Sequence, residues 1–176
     1  NLIRIKERDK EVLVKYARLF EEVFNVRPRI KKVKGKKCFE LRIANKYIAR
    51  VLKFLIENLF KLFNEREDII RAFLRGFFDA EGYVGKSVTL TQKSREFLIF
   101  IKLLLLRLGI HSTLSTVRSG NRIYWRLRVE TKGAKLIGFT SREKMKKLRK
   151  RREREEVIPI TKRKIKECLE QIGIEE

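Results

Sequence analysis

The sequence predicts an α+β fold of two pseudo-equivalent halves, in which antiparallel sheets are backed by helices. Three observations carry this expectation. The order strand, helix, hairpin, helix occurs twice, over residues 1–63 and again over 86–139. An apolar helix starting at Ile69 stands in front of the second copy. Within the strands, apolar residues alternate with mostly cationic ones, so each sheet offers one face to a core and the other to solvent or a partner.

Asn1 to Lys6 alternates, with Ile3 and Ile5 on one face and Arg4 and Lys6 on the other. Asp9 precedes a helical period in Val12, Leu13, Tyr16, Leu19, Phe20 and Phe24, where its carboxylate can accept from unpaired first-turn amides. Pro28 closes that helix and a hairpin follows: Arg29 to Lys34, a turn at Gly35 and Lys36, then Cys38 to Ile43. In the second hairpin strand Phe39, Leu41 and Ile43 face one way, Glu40 and Arg42 the other. Residues 48–63 place Val51, Leu52, Leu55, Ile56, Leu59, Phe60 and Phe63 at helical spacing, with Lys53 and Lys61 outside. After the polar link Asn64 to Asp68, the helix from Ile69 is apolar nearly all round. That predicts burial between other elements, and Gly82 is placed as its C-terminal stop.

The second copy begins with a strand over Lys86 to Gln92, Val88 and Leu90 inward, and a helix over Phe97 to Leu108 stopped by Gly109. Its hairpin runs from Ile110 to Arg118 and from Arg122 to Glu130 about a turn at Ser119 to Asn121. There Ile123, Trp125, Leu127 and Val129 point to the core, while Arg122, Tyr124, Arg126 and Arg128 share the outer face. Gly133 to Phe139 reads as a short helix, and Thr161 to Ile172 as one more amphipathic helix capped by Thr161. The expected division is 1–66, a half-domain without a leading motif helix; 67–152, a half-domain with one; and 153–176, a helical extension.

Composition narrows the partners. With 45 Lys and Arg against 22 Asp and Glu, the formal net charge is +23, and self-repulsion of that size calls for a polyanion. A solvated thermophile-type surface would carry both signs in balance. Hydrophobic residues make up 43% of the chain, enough for a packed core and too many for a disordered basic tail. Cys38 and Cys168 lack zinc-ligand spacing and read as thiols of a reduced, intracellular, cytoplasmic protein. The longest apolar stretch, Ile99 to Leu108, is interrupted by Lys102 and Arg107 and is too short for a bilayer, so no membrane association is expected. No secretory signal is seen at the N-terminus. The bias to Lys, Glu and Ile suggests a thermophilic archaeal source.

The cationic strand faces suit double-stranded DNA. Arg4, Lys6, Arg29, Lys31, Arg42, Lys86, Thr89, Thr91 and Lys93 join Arg122, Tyr124, Arg126 and Arg128 in one polar surface, and guanidiniums on strands fit base edges and phosphates in a major groove. One such strand alone is equally compatible with a face in water. The run Arg142 to Arg154, with nine basic and two acidic residues, reads equally as a phosphate-tracking segment or an exposed terminal helix. His111, the one histidine, reads as structural.

The helix from Ile69 is the sharper signal. Ala72, Gly76 and Ala80, spaced by four, form a ridge nearly free of side chains, along which two helices can meet closely. Asp79 and Glu81 fall in the last turn, where the helix dipole disfavours anions, so a bound cation is expected there.

The segment Leu74-Arg75-Gly76-Phe77-Phe78-Asp79-Ala80-Glu81-Gly82 resembles the motif that names the LAGLIDADG homing endonuclease family, and the chain from Asn1 to Arg152 looks most like the archaeal intron-encoded, two-motif members. The resemblance implies a saddle of antiparallel DNA-binding sheets with a pseudo-two-fold axis, and two motif helices that each present an acid to divalent metal. It implies Glu81 as metal ligand and catalytic acid, with the Ala80 backbone carbonyl beside it, and Asp79 as structural. It also implies Gln92 as the residue that places water and Lys144, with Lys146 and Lys147 as competitors, as the basic residue near the metal. Site-specific, Mg²⁺-assisted hydrolysis of one phosphodiester in each strand of a long DNA target follows. An RNA-binding intron maturase and a non-cleaving DNA-binding protein are the alternatives on the same fold. Because a double-strand cut needs two acidic helix ends, either a first motif lies upstream, giving a monomer of two half-domains, or two chains pair through Ala72, Gly76 and Ala80 as a homodimer.

Overall fold

The computed structural model describes residues 2–153; the helix expected at Thr161 to Ile172 and Cys168 lie outside them. The chain runs β1 (Leu2–Glu7), α1 (Lys10–Phe24), β2 (Arg29–Lys32), β3 (Phe39–Ala44), α2 (Lys46–Glu57), a 3₁₀ turn (Leu59–Asn64), α3 (Glu67–Glu81), β4 (Tyr83–Val84), β5 (Val88–Gln92), α4 (Arg95–Arg107), β6 (Ser112–Ser119), β7 (Arg122–Val129), α5 (Thr131–Ile137) and α6 (Arg142–Arg149). Two antiparallel sheets result, of order β1-β3-β2 and β4-β5-β7-β6. Strands β5-β7-β6 repeat the order β1-β3-β2, so the duplication read from the sequence is also a duplication of topology. Among the described residues no helix is long and apolar enough to cross a membrane.

The repeat extends to the caps. The Asp9 side chain accepts from the amide of Glu11 at 3.0 Å and starts α1; Ser94 Oγ accepts from the amide of Phe97 at 3.1 Å and starts α4. Asn25, at φ 50°, ends α1 in the left-handed conformation that asparagine tolerates.

Two apolar clusters lie under the two sheets. The larger gathers Leu74 and Phe78 of α3, Leu90, Leu127 and Val129 of the second sheet, and Leu98, Ile101 and Leu104 of α4. The smaller has Leu13, Leu41, Ile43 and Ile48 at its centre, with Ile3, Ile5, Tyr16 and Phe20 partly covered around them. Leu59 and Leu62 of the 3₁₀ turn pack on the larger cluster, and Phe60 meets Phe100 edge to face at 4.8 Å, which ties the connection between the halves to the second one.

Several local expectations need correction. The helix expected over residues 48–63 breaks at Asn58 into α2 and the 3₁₀ turn, and its stripe lies largely open: Leu55 is 55% and Ile56 66% exposed. Helix α3 buries one side through Ile70, Leu74 and Phe78, while Ile69, Ala72 and Ala80 are exposed, so among the described residues it is covered on one side only. Ile123 was expected in the core and is 56% exposed, because the β6-β7 hairpin extends past the helices that cover its base. Lys86 lies in the turn between β4 and β5, Lys93 in the bend after β5. Gly82 ends α3 with φ −75°, which any residue adopts; it is needed for space, since a Cβ would collide with the Phe78 carbonyl oxygen.

Candidate catalytic centre and nucleic-acid interface

The last turn of α3 sets Asp79 and Glu81 in different surroundings. Asp79 is 4% exposed, and its carboxylate accepts from the amides of Thr140 at 2.9 Å and Ser141 at 3.2 Å, and from Tyr16 Oη at 3.4 Å. Ser141 caps α6, so the carboxylate that opposes the dipole of α3 sits at the favourable, positive end of α6. The charge of Asp79 is therefore compensated by backbone amides, and the cation expected from the sequence is not needed for it. Burial, together with the Asp79 charge, pushes the Tyr16 phenol up to about 12.

Glu81 is exposed at the same helix end. Beside it, Lys144 Nζ donates to the Asp79 carbonyl at 2.5 Å and lies 3.4 Å from the Phe78 carbonyl, closing the C-terminus of α3 with a cation. Burial draws the Lys144 ammonium below the ordinary lysine range, while the charges of Glu7, Asp79 and Glu81 act in the opposite direction. Of the competing lysines, Lys147 pairs with Glu143 at 2.5 Å and Lys146 is exposed. Arg75 donates to the Ile137 carbonyl at 2.9 Å and so turns away from the ridge of Ala72, Gly76 and Ala80, where a Cβ added to Gly76 would meet open space.

Gln92 ends β5. Tyr83, just after α3, pairs with Thr89, and Gln92 follows three residues further along β5, opposite Trp125 of β7. It stands two residues before the cap Ser94, as Glu7 stands two before the cap Asp9, which makes Glu7 its counterpart in the first half. Glu7 was not singled out from the sequence, yet its charge acts on both Lys144 and Tyr16; aligning the two helix caps would have found it. Tyr16 was read only as an apolar helix position.

A divalent cation with a preference for oxygen fits this end of α3 in part. Glu81 is an available carboxylate and the Ala80 carbonyl adjoins it, whereas Asp79 is committed to amides. Among the described residues no three His, Cys, Asp or Glu side chains gather into a metal cluster. The donor set suits a site shared with a second acidic helix end.

The outer sheet faces differ between the halves. In the second, hydroxyls flank each arginine across the strands: Thr89, Arg128 and Thr113 form one row, Thr91, Arg126 and Ser115 the next. A concavity of about 470 Å³ opens on this face, lined in part by Lys86, Thr89, Arg126 and Arg128. Tyr124 and Arg122 continue the face along the hairpin, opposite Val117 and Ser119. In the first half Arg4, Arg42 and Arg29 form one row, Lys6, Glu40 and Lys31 the next. Glu40 was expected on the open face and is 3% exposed; Arg42 donates to it through Nε and Lys6 lies 3.6 Å away. The Arg42 guanidinium holds the Glu40 carboxyl below the usual carboxylate range.

Residues 68–173 match the family model of the LAGLIDADG-like domain, and the chain belongs to that family. It is 36% identical over 168 residues to a glutamine–fructose-6-phosphate aminotransferase of Methanocaldococcus jannaschii, a match covering 84% of this chain and 15% of that protein. It is 33% identical over 91 residues to the homing endonuclease I-DmoI of Desulfurococcus mucosus, covering 51% of this chain and 45% of that one. Among solved structures, I-DmoI variants match with a TM-score of 0.63 at 20% identity, over 77% of this chain and 79% of theirs. I-DmoI in complex with DNA and Ca matches with a TM-score of 0.62 at 18% identity, over 77% and 72%. The shared fold is the LAGLIDADG homing endonuclease fold, and the chain spans less than a quarter of the first curated relatives it matches.

Proposed function

We propose that this chain is a site-specific endonuclease module that makes a Mg²⁺-dependent double-strand cut in a long DNA target. The observation that carries the reading is the end of α3, where exposed Glu81 stands beside half-buried Lys144 while the neighbouring Asp79 is fully engaged in structure. Glu81, with the Ala80 carbonyl, would hold Mg²⁺, which supplies charge neutralisation at the scissile phosphate and a more acidic water. Lys144 is held by the Asp79 carbonyl where it can stabilise negative charge developing on phosphate. Gln92, and Glu7 as its counterpart in the other half, would orient water. A second acidic helix end, carried by an upstream motif or by a second copy along Ala72, Gly76 and Ala80, would complete the pair of cuts.

The outer strand faces, with Arg4, Lys6, Arg29, Lys31 and Arg42 in one half and Lys86, Thr89, Thr91, Lys93, Arg122, Tyr124, Arg126 and Arg128 in the other, would bind the duplex. The relatives support reading the activity as that of a module. The aminotransferase and a DNA polymerase of the same organism are matched over 15% and 6% of their lengths, which supports reading the matched stretch as one segment of much longer chains.

The test is cleavage of a randomised-site plasmid library in Mg²⁺ at low salt, comparing the protein with Glu81→Gln. Linear product from the parent alone, with DNA binding kept by the variant, is the expected result. Retained duplex binding with no cutting by either protein would leave a non-cleaving binding protein, and preferential binding of structured RNA would favour the maturase.

A further inference from the structure

Glu40 is an anomaly on a surface built of cations. It occupies the middle of the three-stranded sheet, between Lys6 on β1 and Lys31 on β2, and is 3% exposed although the sheet face around it is open. Its Oε1 accepts from Arg42 Nε and its Oε2 lies 3.6 Å from Lys6 Nζ. The next row is Arg4, Arg42 and Arg29, three like charges directly opposite one another, an arrangement that disfavours the sheet unless an anion covers it. Arg4 and Arg29 form no ion pair with a described residue, and Arg42 alone has its guanidinium fixed from behind, by a carboxylate on its own strand.

An arginine held at Nε keeps both terminal nitrogens free, side by side and pointing away from its partner. That fork matches the O6 and N7 acceptors of guanine in the major groove, whereas an unheld arginine or lysine follows phosphate oxygens with little directional demand. Arg42 keeps 46% of its side-chain surface open while Glu40 keeps 4%, so the acid is behind and the fork in front.

We propose that Glu40 and Arg42 form a buttressed reader of one guanine in the half-site bound by the first sheet, with Arg4 and Arg29 contacting the flanking phosphates. This rests on the duplex-DNA reading above. Among the described residues the sheet of β4 to β7 has no buried acid behind its arginines, and it flanks them with hydroxyls, so the two halves would read their half-sites by different chemistry.

The test is selection of bound sites from a randomised duplex library, followed by titration of the selected site and its single-base variants at several salt concentrations. The parent is expected to prefer guanine at one position of one half-site by about ten- to a hundredfold. Arg42→Lys keeps the charge, and is expected to lose that preference by lowering affinity for the selected site about ten- to a hundredfold, to the level of its single-base variants, whose own binding changes little. Glu40→Gln frees the guanidinium and is expected to weaken the preference while steepening the salt dependence. Arg4→Ala is expected to lower affinity for all sequences alike and to reduce the salt slope by about one. If the parent binds duplex DNA and Arg42→Lys changes no base preference, or weakens all sites equally, the reader is overturned and Arg42 is a phosphate contact. If the parent binds no duplex DNA, it is the function reading that fails.

Discussion

At the scale of single residues, the two acids that end α3 divide their labour by environment. Asp79 holds α1 and α6 together through Tyr16 and the amides of Thr140 and Ser141, and its own carbonyl holds Lys144. Tyr16 gives this junction a pH signature. Its phenol titrates at 10.0 in an ordinary setting and at about 12 in the fold, so folding favours the neutral form. The stability this contributes is fully present below the unfolded value and is lost as pH rises through the window up to the folded one. Urea midpoints measured across that window are expected to fall for the parent and to fall less for Tyr16→Phe. Lys144→Met removes a cation next to Glu81. We expect the cleavage rate to drop about 10²- to 10³-fold, as for loss of one preorganised charge-stabilising donor, with DNA affinity little changed in a filter-binding assay. The motif resemblance implied this division, Glu81 towards metal and Asp79 towards structure, and what the sequence left out is the partners that hold Asp79. The motif supplied the two acids, but Thr140 and Ser141 reach Asp79 across a sequence separation of more than 60 residues, which no local pattern encodes.

At the scale of elements, local rules described well what local physics decides. Asp9 and Ser94 cap their helices, the hairpin turns carry Gly35 and Gly120 at positive φ, and the strands alternate as read except at Ile123 and Glu40. Expectations failed where a helix depends on what lies against it. The stripe of α2 and the ridge of α3 were read as buried because their spacing is right, yet spacing says which side is apolar and not whether anything covers it. Gly76 turns this into a measurement, because among the described residues a Cβ there meets open space. At dilution, Gly76→Ala is expected to raise stability by about 1 kcal/mol through helix propensity. Where a second helix packs on the ridge, the same methyl group keeps the backbones apart and is expected to weaken the assembly. Thermal unfolding over a range of protein concentrations, joined to sedimentation, separates the two cases by sign.

At the scale of the whole molecule, charge and topology point to the same partner for different reasons. A net charge of +23 would suit many polyanions; two sheets of one strand order with their cationic residues on the outer faces suit an extended, regular one. The repeat and the charge were both legible in the sequence, because each is a sum over many residues that tolerates local error. The buried acid under the first face was not, since a carboxylate alternating with arginine reads as outward whether it is open or covered. The number of phosphates engaged is the quantity these features determine, and salt dependence measures it. If both sheets and the end of α3 lie on one duplex, 6 to 10 phosphates is a reasonable estimate, and the binding constant should fall about 10³- to 10⁵-fold between 50 and 200 mM salt. A slope of about half that size would place one sheet on the DNA and leave the other free. Charge reversal at Arg126 and Arg128 would then identify the bound half: reversal in the engaged sheet changes the slope, and reversal in the free sheet leaves it unaltered.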